Sequence, residues 1–111
     1  MPKAFAKSVV LLCHQIKATH KEAVLTNQLL RSGASIGANL HEAQYAQGTK
    51  DFISKFEIAL KECHECEFWL IVLAESCPEL ADEAAHLRQE AGSIRRMLIS
   101  SITTLQKNAK K

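Results

Sequence analysis

Proline is nearly missing from this chain, with two in 111 residues, and glycine is scarce, with four. A sandwich or barrel of many short strands needs such residues at its turns, so an all-β fold is excluded. No stretch alternates apolar with polar side chains as a half-buried strand does. Aromatic residues make up 5%, with a single Tyr45 and a single Trp69, which leaves no row of rings for nucleobases to stack on. No apolar run approaches the roughly 20 residues needed to span a bilayer. Met1-Pro2-Lys3 leads straight into an amphipathic pattern without the apolar block of a signal peptide. A cytoplasmic protein with no membrane partner is expected, its four cysteines reduced. Nucleotide loop, nucleophile elbow and zincin helix are also missing. Neither an enzyme nor a cofactor is expected.

The residues present are those of helices. A content of 47% hydrophobic and 23% charged residues is globular, and 111 residues suffice for one domain, 1–111, with its own core. Periodicity predicts helices at about 4–18, 20–46, 50–75 and 78–108. Phe5, Val9, Leu12 and Ile16 form the inward stripe of the first. Thr19-His20-Lys21-Glu22 has the form of a capping box between the first and second. Gly48 is placed to end the second helix and Thr49 to cap the third. Phe52, Phe56, Ala59, Cys63, Cys66, Leu70 and Leu73 alternate spacings of four and three, the seam of a bundle. Pro78 suits the first turn of the fourth helix, which carries Leu80, Ala84, Leu87, Ala91, Ile94, Leu98 and Leu105. The expected fold is all-α, an antiparallel up-down-up-down four-helix bundle with short loops.

Two features exceed what one bundle needs. Leu29 to Ala43 reads as helix interior, yet holds Ser32, Gly33, Ser35, Gly37 and Asn39. Gly33 and Gly37, four apart, predict the close approach of a neighbouring helix; a kinked helix is the alternative. Phe68 to Leu73 is apolar all the way round, and Ile58, Trp69 and Val72 fall off the main seam. With Phe68 and Ile71, these make Ile58, Trp69 and Val72 candidates for an oligomer interface, against a merely thick core. Val10, Leu11, Met97 and Ile99 lie off their stripes in the same way.

The run LLRSGASIGANLHEA (Leu29–Ala43), followed by Lys50-Asp51-Phe52-Ile53-Ser54-Lys55 and Ile58-Ala59-Leu60-Lys61-Glu62-Cys63 and continuing through Glu65, Trp69 and Leu70, resembles the "four helix bundle" proteins. These are also called 23S rRNA intervening-sequence proteins. The resemblance covers both central helices and, more loosely, the whole chain; Cys66 stands where it implies a small polar residue. It implies a four-helix bundle assembled as a homopentamer. Some members are encoded within insertions in bacterial 23S rRNA genes. A distant relative, the accessory protein of diversity-generating retroelements, is a basic pentamer that binds nucleic acid and a reverse transcriptase. The resemblance brings no enzymatic activity.

With a turn near Gly48, positions of the second and third helices whose numbers sum to about 96 lie level. Arg31 then faces Glu65, Ser35 faces Lys61 or Glu62, and Asn39 faces Glu57 or Ile58. A structural polar network of Arg31, Ser35, Asn39, Glu62 and Glu65 is expected, fixing register rather than performing chemistry. Cys63-His64-Glu65-Cys66 contains a CxxC pair, but no second pair exists and both cysteines lie on the apolar seam, where a thiol acts as a small hydrophobe. No metal is expected.

Charge supplies the one hint about partners. Residues 1–50 carry six basic against two acidic side chains, residues 51–90 three against ten, and residues 91–111 five against none. Helices one and four are therefore basic and helix three acidic. Lys3, Lys7, Arg95, Arg96, Lys107, Lys110 and Lys111 are the candidates for contacting phosphates of RNA or DNA as an accessory factor, multiplied in a ring of copies. A lysine-rich tail that only aids solubility is the plain alternative. The competing function is a protein-interaction scaffold, with a partner protein on acidic helix three or the ring surface.

Overall fold

The computed structural model describes residues 2–20 and 23–109. They form α1 (Pro2–His20), α2 (Ala23–Ala43), α3 (Thr49–Ser76), a 3-10 turn (Pro78–Leu80) and α4 (Ala81–Ala109), with no strand among the described residues. The four helices make a compact rod of 53 × 20 × 20 Å. α3 packs heavily on α2 and on α4, α1 packs on α2, and α1 touches α4 only lightly.

One core runs the length of the rod. Phe5, Val9, Leu12 and Ile16 are buried, joined by Cys13. On α3 every seam residue is buried except Phe52, which is half-buried and stacks 4.4 Å from Phe56 between ring centres. Leu80 of the 3-10 turn and Ala84, Leu87, Ala91, Ile94 and Leu98 of α4 are buried as the spacing predicts, and Ile102 is buried beyond them, whereas Leu105 is half-buried. The 4-3 spacing runs from Leu98 through Ile102 to Leu105, so both lie on the core face of α4.

Helix ends differ from expectation. α1 runs on to His20, and Lys21 and Glu22 of the capping box lie outside the described residues. α2 stops at Ala43, three residues before the expected Ala46, because the chain tightens into successive i→i−3 bonds from Gln44, Tyr45 and Ala46 to His41, Glu42 and Ala43. Gly48 does not end α2. It is the N-cap of α3, at φ 112°, a left-handed conformation that glycine adopts without a Cβ penalty, and Thr49 is the first helical residue. No side chain caps α3; Asp51 in its first turn ties down the preceding loop, its Oδ2 accepting the Gln47 N–H at 3.1 Å. At the other end of α3, the Cys77 N–H bonds the Leu73 carbonyl at 2.8 Å, and Pro78 opens the 3-10 turn where its missing N–H has no partner to lose.

The small residues of α2 have a visible cause. A Cβ on Gly33 would stand 3.1 Å from both γ-methyls of Val9, so α1 and α2 approach there as closely as the missing side chain allows. Gly37 instead lines an open groove of about 590 Å³ with Lys3 and Ala6. α2 is one unbroken helix through both. Ser32, buried beside Gly33, turns its hydroxyl back on the Gln28 and Leu29 carbonyls.

Candidate nucleic-acid interface

Three of the six carboxylates of α3 are engaged by arginines from its neighbours. Arg31 reaches across from α2 and donates to Glu62 at 3.1 Å and, through its other terminal nitrogen, to Glu65. Trp69, one turn along α3, donates its indole N–H to the same Glu65 oxygen at 3.3 Å. The Arg31 hydrogen bond holds the Glu65 carboxyl below the usual glutamate range, with Trp69 assisting, and Glu65 in turn raises the guanidinium. The Arg31 side chain is 48% exposed, so this is a surface clamp rather than a buried network. Asn39 bonds the carbonyl and hydroxyl of Ser35 within α2, at 2.8 and 3.1 Å. The expected five-residue network thus divides into two. Arg31 is long enough to cross between helices, whereas Ser35 and Asn39 are short and satisfy each other.

On the opposite flank of α3, Glu67 accepts the Arg95 Nε–H at 2.8 Å. Arg95 and Arg96 line a groove of about 630 Å³ with Arg88, Gln89, Gly92 and Ser93. The other cations lie elsewhere: Lys3 on the groove between α1 and α2, Lys7 exposed on α1, Lys107 exposed near the end of α4. Lys110 and Lys111 lie outside the described residues. Among the described residues, Lys3, Lys7, Arg88, Arg96 and Lys107 form no ion pair. The groove between α1 and α4 holds Asp82, Glu83 and Glu90, with His86 3.1 Å from Glu90 and no lysine or arginine. A protomer therefore presents its cations in separate places. Arg88 escaped the sequence reading because it was counted within an acidic segment, although its spacing of four, seven and eight from Gly92, Arg95 and Arg96 marks one helical face.

The interface candidates on α3 fall into two kinds. Ile58, Phe68 and Ile71 are exposed at 41%, 55% and 37%. Trp69 and Val72 are half-buried against this chain's own core. Leu11, Met97 and Ile99 are also exposed, as are Val24 and Tyr45, which periodicity did not single out.

Cys63 and Cys66 point inward while His64 is exposed, so the CxxC pair and its histidine diverge. The Cys63 thiol donates to the Ala91 carbonyl at 3.1 Å, and burial pushes both thiols up to about 12. Among the described residues no group of three histidine, cysteine or acidic side chains is placed to hold a metal ion. No described helix is long and apolar enough to cross a membrane.

Comparison with known proteins identifies relatives by fold and sequence. No curated protein matches the chain. A crystal structure of a protein of unknown function, from the S23 ribosomal protein family of Bacteroides thetaiotaomicron VPI-5482, superposes with a TM-score of 0.87 at 40% identity, over 91% of this chain and 94% of that one. Residues 2–100 match the family described as 23S rRNA-intervening sequence protein. With nearly its whole length matched, the chain belongs to the 23S rRNA-intervening sequence protein family.

Proposed function

We propose that the protein is a non-enzymatic, cytoplasmic, oligomeric four-helix bundle that binds nucleic acid, RNA foremost, as an accessory factor. Its contacts are with phosphates, through Lys3, Lys7, Arg95, Arg96 and Lys107, extended by Lys110 and Lys111. The observation that carries this reading is an asymmetry of pairing. Glu62, Glu65 and Glu67 on α3 are ion-paired with Arg31 and Arg95, whereas Lys3, Lys7, Arg96 and Lys107 have no carboxylate partner among the described residues. Such cations attract polyanions through counterion release.

An up-down-up-down course is supported by cross-helix contacts: Val9 beside Gly33, Arg31 against Glu62 and Glu65, Cys63 against Ala91, and Phe52 sharing a groove with Leu105. Assembly as a homopentamer is supported by the exposed Ile58, Phe68 and Ile71 and by the family resemblance. The same apolar residues favour the second reading, a protein-interaction scaffold without nucleic acid. Size-exclusion chromatography with light scattering, followed at nucleic-acid and protein wavelengths, separates the two. A pentamer-sized species carrying RNA that salt releases supports the first. A nucleic-acid-free oligomer with a co-purifying polypeptide moves the assignment to the scaffold, and a clean monomer removes the assembly.

A further inference from the structure

Packing does not account for Gly92. It lies well inside α4, where glycine weakens a helix relative to alanine. Gly33 has its reason in Val9, but at Gly92 the nearest atoms to a hypothetical Cβ are two guanidinium nitrogens, Arg96 Nη1 at 3.3 Å and Arg95 Nη2 at 3.5 Å. Gly92 is nonetheless buried, covered by the very side chains that flank it. Each guanidinium is held in place from the side. Glu67 takes the Arg95 Nε–H at 2.8 Å, and the Ser93 hydroxyl accepts from Arg96 Nη2 at 3.3 Å. Arg88, one turn before Gly92, lines the same groove and has no ion-pair partner among the described residues. Three guanidinium groups thus share the groove with one carboxylate.

We propose that Arg88, Gly92, Arg95 and Arg96 form a seat for a single phosphate group, with Glu67 and Ser93 as the residues that orient its arginines. Guanidinium forks match phosphate oxygens in geometry and charge, and the missing Cβ lets the Arg95 and Arg96 tips lie together against the helix. The groove is open along the outside of α3 and α4, which suits a phosphodiester of a polynucleotide lying across it better than an enclosed metabolite. The seat rests on the nucleic-acid reading only for the source of its phosphate.

The test has two arms on the full-length protein. Inorganic phosphate is titrated into isotope-labelled protein while the arginine Nε–H signals and the Gly92 amide are followed by NMR. A fluorescent single-stranded RNA 20-mer is titrated in parallel across a salt series. Both are repeated with Arg88→Gln and Gly92→Ala. The expected result is saturable, concerted shifts at Arg88, Gly92, Arg95 and Arg96, lost in both variants. RNA affinity should fall roughly fivefold to tenfold in Arg88→Gln, with the slope of log affinity against log salt shallower by about one. Gly92→Ala should melt no lower than the parent, which separates a filled seat from a misfolded helix. Shifts that do not saturate, or that persist in both variants, overturn the seat, even where RNA binds through other cations and the nucleic-acid reading stands. Saturation by phosphate at the seat without RNA binding upholds it and removes polynucleotide as its ligand.

Discussion

A methyl group at Gly33 meets the branched, fully buried Val9 across two helices, whereas a methyl at Gly92 meets the tips of two flexible arginines. Both substitutions gain the same helix propensity, about 1 kcal/mol. Their difference therefore isolates the clash: Gly33→Ala should be less stable than Gly92→Ala by about 1–3 kcal/mol, read from urea midpoints at equal slope. Titration adds a second residue-level expectation. The lowered Glu65 carboxyl contributes stability that is complete above its ordinary value of 4.5 and is lost as pH falls through its folded value. The raised thiols of Cys63 and Cys66 act in the opposite sense. Their contribution is complete below the ordinary thiol value of 9.0 and is lost as pH rises from there toward about 12. Urea midpoints measured across pH should decline at both ends, and Glu65→Gln should flatten the acid limb alone.

α3 carries the sharpest contrast between neighbours on one element. Leu73 is wholly buried while Ile71, two residues earlier, is exposed. Leu73→Ala should cost about 2–5 kcal/mol by leaving a cavity. Phe68→Ser combined with Ile71→Ser should change stability of the folded protomer little, yet reduce the mass seen by light scattering. An unchanged mass would take these two residues out of the assembly contact. Most of this element was legible beforehand, because a seam of 4-3 spacing puts Phe56 through Leu73 on one side whatever the neighbours are. Arg31 against Glu65 was legible too, since a short turn between α2 and α3 leaves little choice of register. Ser35 and Asn39 were not, because a sum of residue numbers gives level but not reach. The end of α2 was misplaced for a related reason: Gln44-Tyr45-Ala46 contains no helix breaker, and only the left-handed Gly48, read as a stop for α2, sets the turn that starts α3. Arg88 was hidden by counting charge along the chain instead of around the helix.

At the scale of the molecule, acidic side chains are gathered on α3 and in the α1–α4 groove, while Lys3, Lys7, Arg88, Arg96 and Lys107 on α1 and α4 form no ion pair among the described residues. Charge reversal of Arg95 and Arg96 together should weaken RNA binding by an order of magnitude or more at moderate salt and flatten its salt dependence by about two units of slope. Reversal of Lys3 and Lys7 should act independently of it, because Lys3 lines a different groove and Lys7 stands exposed on a different helix, so the four-fold mutant should show additive losses in free energy.

All four cysteines are reduced and sealed inside, one on α1, two on α3 and one at the junction with α4. A thiol reagent therefore cannot touch the native rod and must wait for it to open, which turns the cysteines into clocks for opening. Since α1 leans only lightly on α4, the helix bearing Cys13 has the weakest hold on the rest. Cys13 should then be labelled ahead of Cys63 and Cys66 under native conditions. The order of labelling would trace how this protein comes apart, beginning with its first helix.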